Sequence, residues 1–312
     1  MGINLQSMLP GWERQLKSVA ECYQCIFDDL DGALDILNLS TEMQAEIRRI
    51  GHQYMDEDFP LQLLPSEYIT EIHRIVKRVS GLALPFRELR ENCNRIGIKI
   101  AGGIRDQLRG LEPFARFEKL VLWSVAGNHL DFRTVGAGYG FGTSKIQAML
   151  QEKVDDGFDV NDLEQIFNIV RSGPRILYIP DNVGELAFDR LLMEELKSFG
   201  AVIQCPYRGG PITSDAVHED FITIGIDKIA DEIFLAGPDT LGISWREKTP
   251  VLANALQEAE VVIAKGQANF YVTHEHQAEI PGSIINLLTT KCNPVSQLWG
   301  KQDRINVASV MK

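Results

Sequence analysis

An apolar run, RILYIP, ends at Pro180, and the next side chains are Asp181 and Asn182, with Gly184 and Glu185 close behind. A second run, AVIQCPY, leads into Arg208, Gly209, Gly210, Thr213, Ser214 and Asp215. Later runs deliver Gly237 and Asp239, then Lys265, Gly266, Gln267 and Asn269, and finally Lys291. Asp181, Asn182 and Asp215 supply two carboxylates and an amide carbonyl. These are hard oxygen ligands suited to Mg²⁺ or Mn²⁺, with waters completing an octahedron. No His or Cys cluster accompanies them. A cation of that kind in an acidic site, opposite a lysine and beside glycine-rich helix starts, suits a phosphate group. The chemistry implied is phosphoryl transfer to water. The cation would neutralise phosphate oxygens and orient a water or lower its pKa, while Lys265 would stabilise charge on the transferring group.

Each of these residues also has a plainer reading. An isolated Asp-Asn pair is a common turn between a strand and a helix. Glu185 is either a first-turn carboxylate favoured by the helix dipole or a group that orients water. Asp189, one turn later on the same face, packs behind it or joins it. Gly209 and Gly210 form a turn or, in a GGP loop leading to an Asp and a helix, a backbone anion site. Lys265 either snorkels to solvent or points into the cleft, and Gly266 and Gln267 beside it favour the cleft. Gly136 to Gly142, GAGYGFG, lacks dinucleotide-loop spacing, since Phe141 and Thr143 stand where the third glycine belongs; a connector or lid fits better. Cys22 and Cys25 lack a second CxxC or a close His pair, so ordinary buried thiols are expected, and Cys93, Cys205 and Cys292 read as core.

The elements that position these side chains follow from periodicity. Up to about residue 105 the apolar residues recur at helical spacing, as with Ile26, Leu30, Leu34 and Leu37, and Ser40 or Thr41 caps the next helix. Pro60, Pro65 and Pro85 break this region into short helices. The segment FEKLVLWSVAGNHLDF reads as a buried helix ending near Asn128, with a strand as the alternative. Beyond about residue 172, short apolar runs alternate with amphipathic stretches, the pattern of βα units, and about five strands are expected. Right-handed crossovers then give a doubly wound, mainly parallel sheet with helices on both faces, and ligands bind beyond the strands' carboxyl ends. The expected organisation is a helical domain over 1–105 and a Rossmann-like α/β/α domain over 106–312.

With 312 residues, 45% of them hydrophobic, the chain can bury a core without staples. A formal charge of -12 excludes a generally basic surface, so neither nucleic acid nor an anionic membrane is an expected partner. No basic-then-apolar leader or membrane-length apolar run stands in the sequence, and five cysteines do not form a secreted disulfide framework. A cytoplasmic location is the expectation. The oligomeric state is left open.

Four ordered segments resemble one family: DNxGExxFDxxL from Asp181 to Leu192, GGPITSDA from Gly209 to Ala216, IAKGQANF from Ile263 to Phe270, and AGNHLDF from Ala126 to Phe132. They look like the damage-control metal-dependent phosphatases, also called domain-of-unknown-function-89 or acidic-residue-methyltransferase-like proteins. The CYQC pair resembles the CxxC of the microbial stand-alone branch. The resemblance implies a helical part beside a Rossmann-like domain and metal-dependent release of phosphate from small metabolites, such as sugar phosphates or damaged phosphorylated cofactors. It implies Asp181, Asn182 and Asp215 as ligands of a divalent metal (Mg²⁺, Mn²⁺, Co²⁺ or Ni²⁺). Lys265 matches the lysine of the family's KGQ motif, and Asp181, Glu185 and Lys265 are the expected catalytic residues. Gly209, Gly210, Gly266, Gln267 and Asn269 then form the substrate-binding set, with Asn128 and Asp131 either joining it or capping the preceding helix. The family loop often reads NDAT, whereas SDAV stands here, with Ser214 and Val217. The competing functions are a carboxyl methyltransferase using S-adenosylmethionine and a non-catalytic metal- or metabolite-binding protein.

Overall fold

The structure, a computed structural model, describes residues 16–131 and 143–311. The glycine-rich stretch 136–142 lies outside the described residues. Five helices come first: α1 (Ala20–Ile36), α2 (Thr41–Asp58), α3 (Pro65–Ser80), α4 (Arg87–Gln107) and α5 (Pro113–Ala126). Ser40 caps α2 by accepting the Met43 N–H on Oγ at 3.3 Å. Pro65 opens α3, where its missing N–H costs nothing, and Gly81 closes it in the left-handed region. The stripe of Ile26, Leu30, Leu34 and Leu37 packs with Ile47, Met55, Tyr68 and Ile72 into a core shared by α1, α2 and α3.

The rest of the chain builds one seven-stranded sheet: β1 (Val160–Asn161), β2 (Arg175–Ile179), β3 (Val202–Arg208), β4 (Glu232–Gly237), β5 (Val261–Lys265), β6 (Ser283–Thr289) and β7 (Asn306–Val310). The order is β1-β7-β6-β5-β2-β3-β4, parallel throughout except for the β6–β7 pair. The five expected strands are β2 to β6. Two more, β1 and β7, correct that number: β1 is two residues long, too short to show a period, and β7 lies beyond the last clear βα repeat.

Alternation sorts the strands' side chains onto two faces. Ile176, Tyr178, Ile203, Cys205 and Ile263 face a layer built from α4, α5, α6 (Thr143–Asp156), α7 (Leu163–Val170), α8 (Leu186–Ser198) and α9 (His218–Ile224). Leu177, Ile179, Val262 and Ile284 face α10 (Pro250–Glu258) and α11 (Gly266–Glu275). The fold is therefore the expected Rossmann-like α/β/α sandwich with helices at the N-terminus. Ile96, Ile100 and Ile104 of α4 belong to the sheet's core. Among the described residues no helix is long and apolar enough to cross a membrane.

The thiols need a correction. Cys93 and Cys205 are buried as expected, but Cys22 and Cys292 are only partly buried and Cys25 is exposed. All five are free. Position Cys25 on α1 lies off the stripe that the helix buries, which a CxxC spacing does not reveal.

Candidate active site

From β2 the chain runs outward to β3 and β4, then returns so that β5 and β6 lie on the other side of β2. The switch point falls between β2 and β5, where adjacent crossovers leave in opposite directions and open a crevice at the strands' carboxyl ends. Asp181 follows β2, and Lys265 ends β5. Gly266 joins them: its φ is +74°, and a Cβ there would sit 1.9 Å from Asp181 Oδ2. Only glycine permits the backbone of β5 to approach the carboxylate this closely.

Asp181 is buried, and both amide groups nearby converge on its Oδ2. The Asn182 Nδ2 donates at 2.7 Å and the Asn128 Nδ2 at 3.0 Å. The same two amides reach Glu185 Oε2, at 3.2 and 3.1 Å. Burial first, then the charges of Glu185 and Asp215, push the Asp181 carboxyl well above its ordinary range. Glu185 stands at the start of α8, yet its side chain makes no capping bond. It takes a proton of Lys265 Nζ at 2.5 Å on Oε1. Burial raises its pKa, with Lys265 opposing.

Lys265 is fully buried, and its three N–H groups go to Glu185, to Asp189 Oδ1 at 2.7 Å and to the Ser124 carbonyl at 3.0 Å. Burial alone would lower its pKa, but Asp189 and Glu185 outweigh burial and raise it. Asp189 Oδ1 also accepts from Ser124 Oγ at 2.6 Å and Tyr178 OH at 2.8 Å. The lysine aimed at phosphate in the sequence reading thus has every donor occupied. It pins Glu185 and Asp189 in place.

Asp215 faces Asn182 across an isolated antiparallel bridge. Its Oδ1 accepts the Gly242 N–H at 2.6 Å and its Oδ2 the Thr213 hydroxyl at 3.1 Å, while Arg208 Nε lies 3.5 Å from Oδ1. Ser214, the altered position of the SDAV loop, donates to Asn182 Oδ1 at 2.7 Å, so it still touches the proposed ligand set. Arg208 is buried at the end of β3 and donates through Nη2 to the Pro180 carbonyl and Asn269 Oδ1, both at 3.0 Å.

Asn269 binds the Pro180 and Lys265 carbonyls through Nδ2 at 3.0 and 2.7 Å and accepts the Ile243 N–H at 2.9 Å. Its amide ties strand ends together. Gly209 and Gly210 face the loop after β4, since a Cβ on Gly209 would meet the Gly237 carbonyl at 2.5 Å and one on Gly210 would meet Asp239 at 3.3 Å. Gln267 accepts the Lys291 N–H at 2.7 Å. Neither Asn128 nor Asp131 caps α5 through its side chain; Asp131 instead accepts from Lys291 Nζ at 3.1 Å. Lys291, with 38% of its side chain exposed, brings a cation to the site, and its charge acts on Asp181. Lys291 and Arg208 were visible in the sequence as basic residues at strand ends. Ser124 and Tyr178 carried no such signal.

Among the described residues, five buried carboxylates, Asp131, Asp181, Glu185, Asp189 and Asp215, stand near three cations, Arg208, Lys265 and Lys291. Among the described residues no Lys, Arg or His pairs with Asp181, and its Oδ1 takes no hydrogen bond from any of them. An uncompensated buried charge costs several kcal/mol, so this carboxylate is built to meet a cation or a proton. No three His, Cys, Asp or Glu side chains converge to hold a metal among the described residues. A cation here would rest on Asp181, Asp215, the Asn182 carbonyl and non-protein oxygens, which fits a hard ion that keeps several waters.

A doubly wound sheet binds its ligand at the switch point, and here that site is buried and lined by carboxylates. The family model for the damage-control phosphatase ARMT1-like domain matches residues 18–305, and the chain belongs to that family. A damage-control phosphatase of Archaeoglobus fulgidus is 31% identical over 256 residues, 82% of this chain and 86% of that protein. One of Pyrococcus horikoshii is 25% identical over 284 residues, covering 90% and 94%. The crystal structure of a DUF89 family protein from Pyrococcus horikoshii matches with a TM-score of 0.84 at 25% identity, covering 96% of this chain and 100% of that one.

Proposed function

We propose that the protein is a divalent-metal-dependent phosphomonoester hydrolase for small phosphorylated metabolites. The observation that carries this reading is the buried Asp181 carboxylate at the switch point, with which no Lys, Arg or His among the described residues pairs. Asp181, Asn182 and Asp215 would hold the ion, which when bound supplies charge neutralisation for phosphate oxygens and a more acidic water. The chain's own residues do the positioning. Lys291 meets the anionic phosphate at the mouth, and Gln267 fixes its backbone. Asn128 holds the Asp181 and Glu185 carboxylates side by side. Lys265 keeps Glu185 in one orientation, close enough to Asn128 and Asn182 to order a reactant between them.

The test is release of inorganic phosphate from an aryl phosphate and a panel of sugar phosphates, after chelation and after addition of Mg²⁺, Mn²⁺, Co²⁺ or Ni²⁺. Metal-stimulated release is expected, together with a rise in melting temperature on Mn²⁺ addition that Asp181→Asn abolishes. At a metal concentration a hundredfold above Kd, binding adds about 2.7 kcal/mol to stability. Equal turnover with and without chelator, or full activity in Asp181→Asn, sinks the reading.

A further inference from the structure

Both loops of the site are gripped from outside the sheet, by one helix of the N-terminal part. Arg90 of α4 is buried and donates to three acceptors: the Thr213 carbonyl at 2.6 Å, the Asp215 carbonyl at 2.9 Å and Asp220 Oδ2 at 2.5 Å. One turn later, Asn94 donates to Asp220 Oδ1 at 2.7 Å and accepts the Gly184 N–H on Oδ1 at 2.9 Å. Asp220 in turn accepts the Val217 N–H at 2.9 Å. A single buried unit of Arg90, Asn94 and Asp220 therefore bonds the backbone on both sides of Asp215 and the backbone between Asn182 and Glu185.

The helix can do this because it lies directly on the loop. A Cβ on Gly97 would stand 2.3 Å from the Gly184 carbonyl, and one on Gly184 would stand 2.9 Å from the Cys93 carbonyl. Two glycines face each other where α4 meets the turn after Asn182. Such an approach places Asn94 and Arg90 within reach of main-chain groups rather than of side chains alone. The pairing of Arg90 with Asp220 is also locally neutral, so it adds nothing to the charge around Asp181. Its contribution is geometric: the planar guanidinium, with one bond to Asp220 and two to backbone carbonyls, holds its acceptors at fixed separations.

We infer that Arg90 and Asn94 are positioning residues, which set the spacing between the Asp181–Glu185 loop and the Asp215 loop, and that the helical part is thereby a working part of the phosphatase site. The inference rests on the proposed hydrolase reading. Residues that orient ligands from behind typically change affinity or activity by about 10- to 100-fold when removed.

The test uses the full chain with Asn94→Ala and Arg90→Lys. Lysine keeps the charge but lacks the planar fork that sets the geometry of the three bonds. Aryl-phosphate kinetics are measured per folded molecule, alongside hydrogen exchange at the Gly184 and Val217 amides. The expected result is a fall in kcat of about tenfold or more, with KM changed far less, and faster exchange at both amides. A cavity of about 650 Å³ lined in part by Arg90, Asn94 and Asp220 gives access for a third measurement: guanidinium ion, but not sodium at equal ionic strength, should restore part of the kcat of Arg90→Ala. If Arg90 variants do not fold, Asn94→Ala alone decides. A folded Asn94→Ala with wild-type kcat, or one that lowers only the melting temperature, overturns the inference. The wild-type response to metal is scored separately, so failure of the metal reading is not confused with failure of this one.

Discussion

At the scale of single residues, Gly266 carries the most constraint in the site. Its φ of +74° disfavours any side chain, and a Cβ would enter the Asp181 carboxylate at 1.9 Å. Gly266→Ala is expected to displace Asp181 or the start of α11. Misplacing a reacting group by about 1 Å can lower turnover about 100-fold, while left-handed strain costs about 1–2 kcal/mol. Steady-state kinetics beside a melting curve would show a folded, nearly inactive protein; retained activity would mean that the carboxylate is not where the chemistry occurs. Asp181, Asn182, Glu185 and Asp215 were legible in the sequence because strand-end positions are a local signal. The partners of these residues were not legible. Asn128 lies 53 residues from Asp181, and Arg90 lies 123 residues from Thr213, with no periodicity joining them. Lys265 shows the limit from the other side: its place at a strand end was readable, but Glu185 and Asp189, which occupy its donors, made its role depend on contacts 80 and 76 residues away.

At the scale of elements, local patterns did well wherever an element had its own period or its own stop signals. Ser40, Pro65 and Gly81 mark helix boundaries by capping chemistry that acts within a few residues. The strands β2, β5 and β6 are near-continuous apolar runs because both of their faces are covered. By contrast, β7 is antiparallel to β6 and follows a connection with no long helix, so nothing in the βα rhythm announces it. The helices α1 to α3 share a core that also takes in Cys93 of α4 and Val183 of the site loop, whereas Ser40 caps α2 at an exposed position away from that loop. Ser40→Ala removes the Oγ that accepts the Met43 N–H and is expected to cost about 1 kcal/mol. Urea unfolding should show that loss with kcat and KM unchanged. A fall in kcat would mean that the α1–α3 core transmits strain to the crevice through α4.

At the scale of the whole molecule, pH dependence follows from which buried groups gain or lose protons on folding. Asp181 and Glu185 have raised pKa values, so the native state takes up their protons on acidification more readily than the unfolded chain and is stabilised by them. His129 acts in the opposite sense. Burial first, then the charges of Lys153, Arg304 and Lys291, with Asp156 opposing, lower it from 6.5 to about 4. Between those two values the unfolded chain binds a proton that the native ring refuses, so stability is fully present above about pH 6.5 and is lost as pH falls toward 4. Because the carboxylates act in the other direction, the raw stability curve mixes both contributions, and a difference isolates the histidine. With metal removed by chelator, the unfolding free energy of wild type minus that of His129→Gln should be constant above about pH 6.5 and decline below it. The slope approaches one proton, about 1.4 kcal/mol per pH unit at most. A difference that stays flat from pH 7 down to about pH 4 would show that the native ring titrates like the unfolded one, and that the cations around it do not hold it neutral.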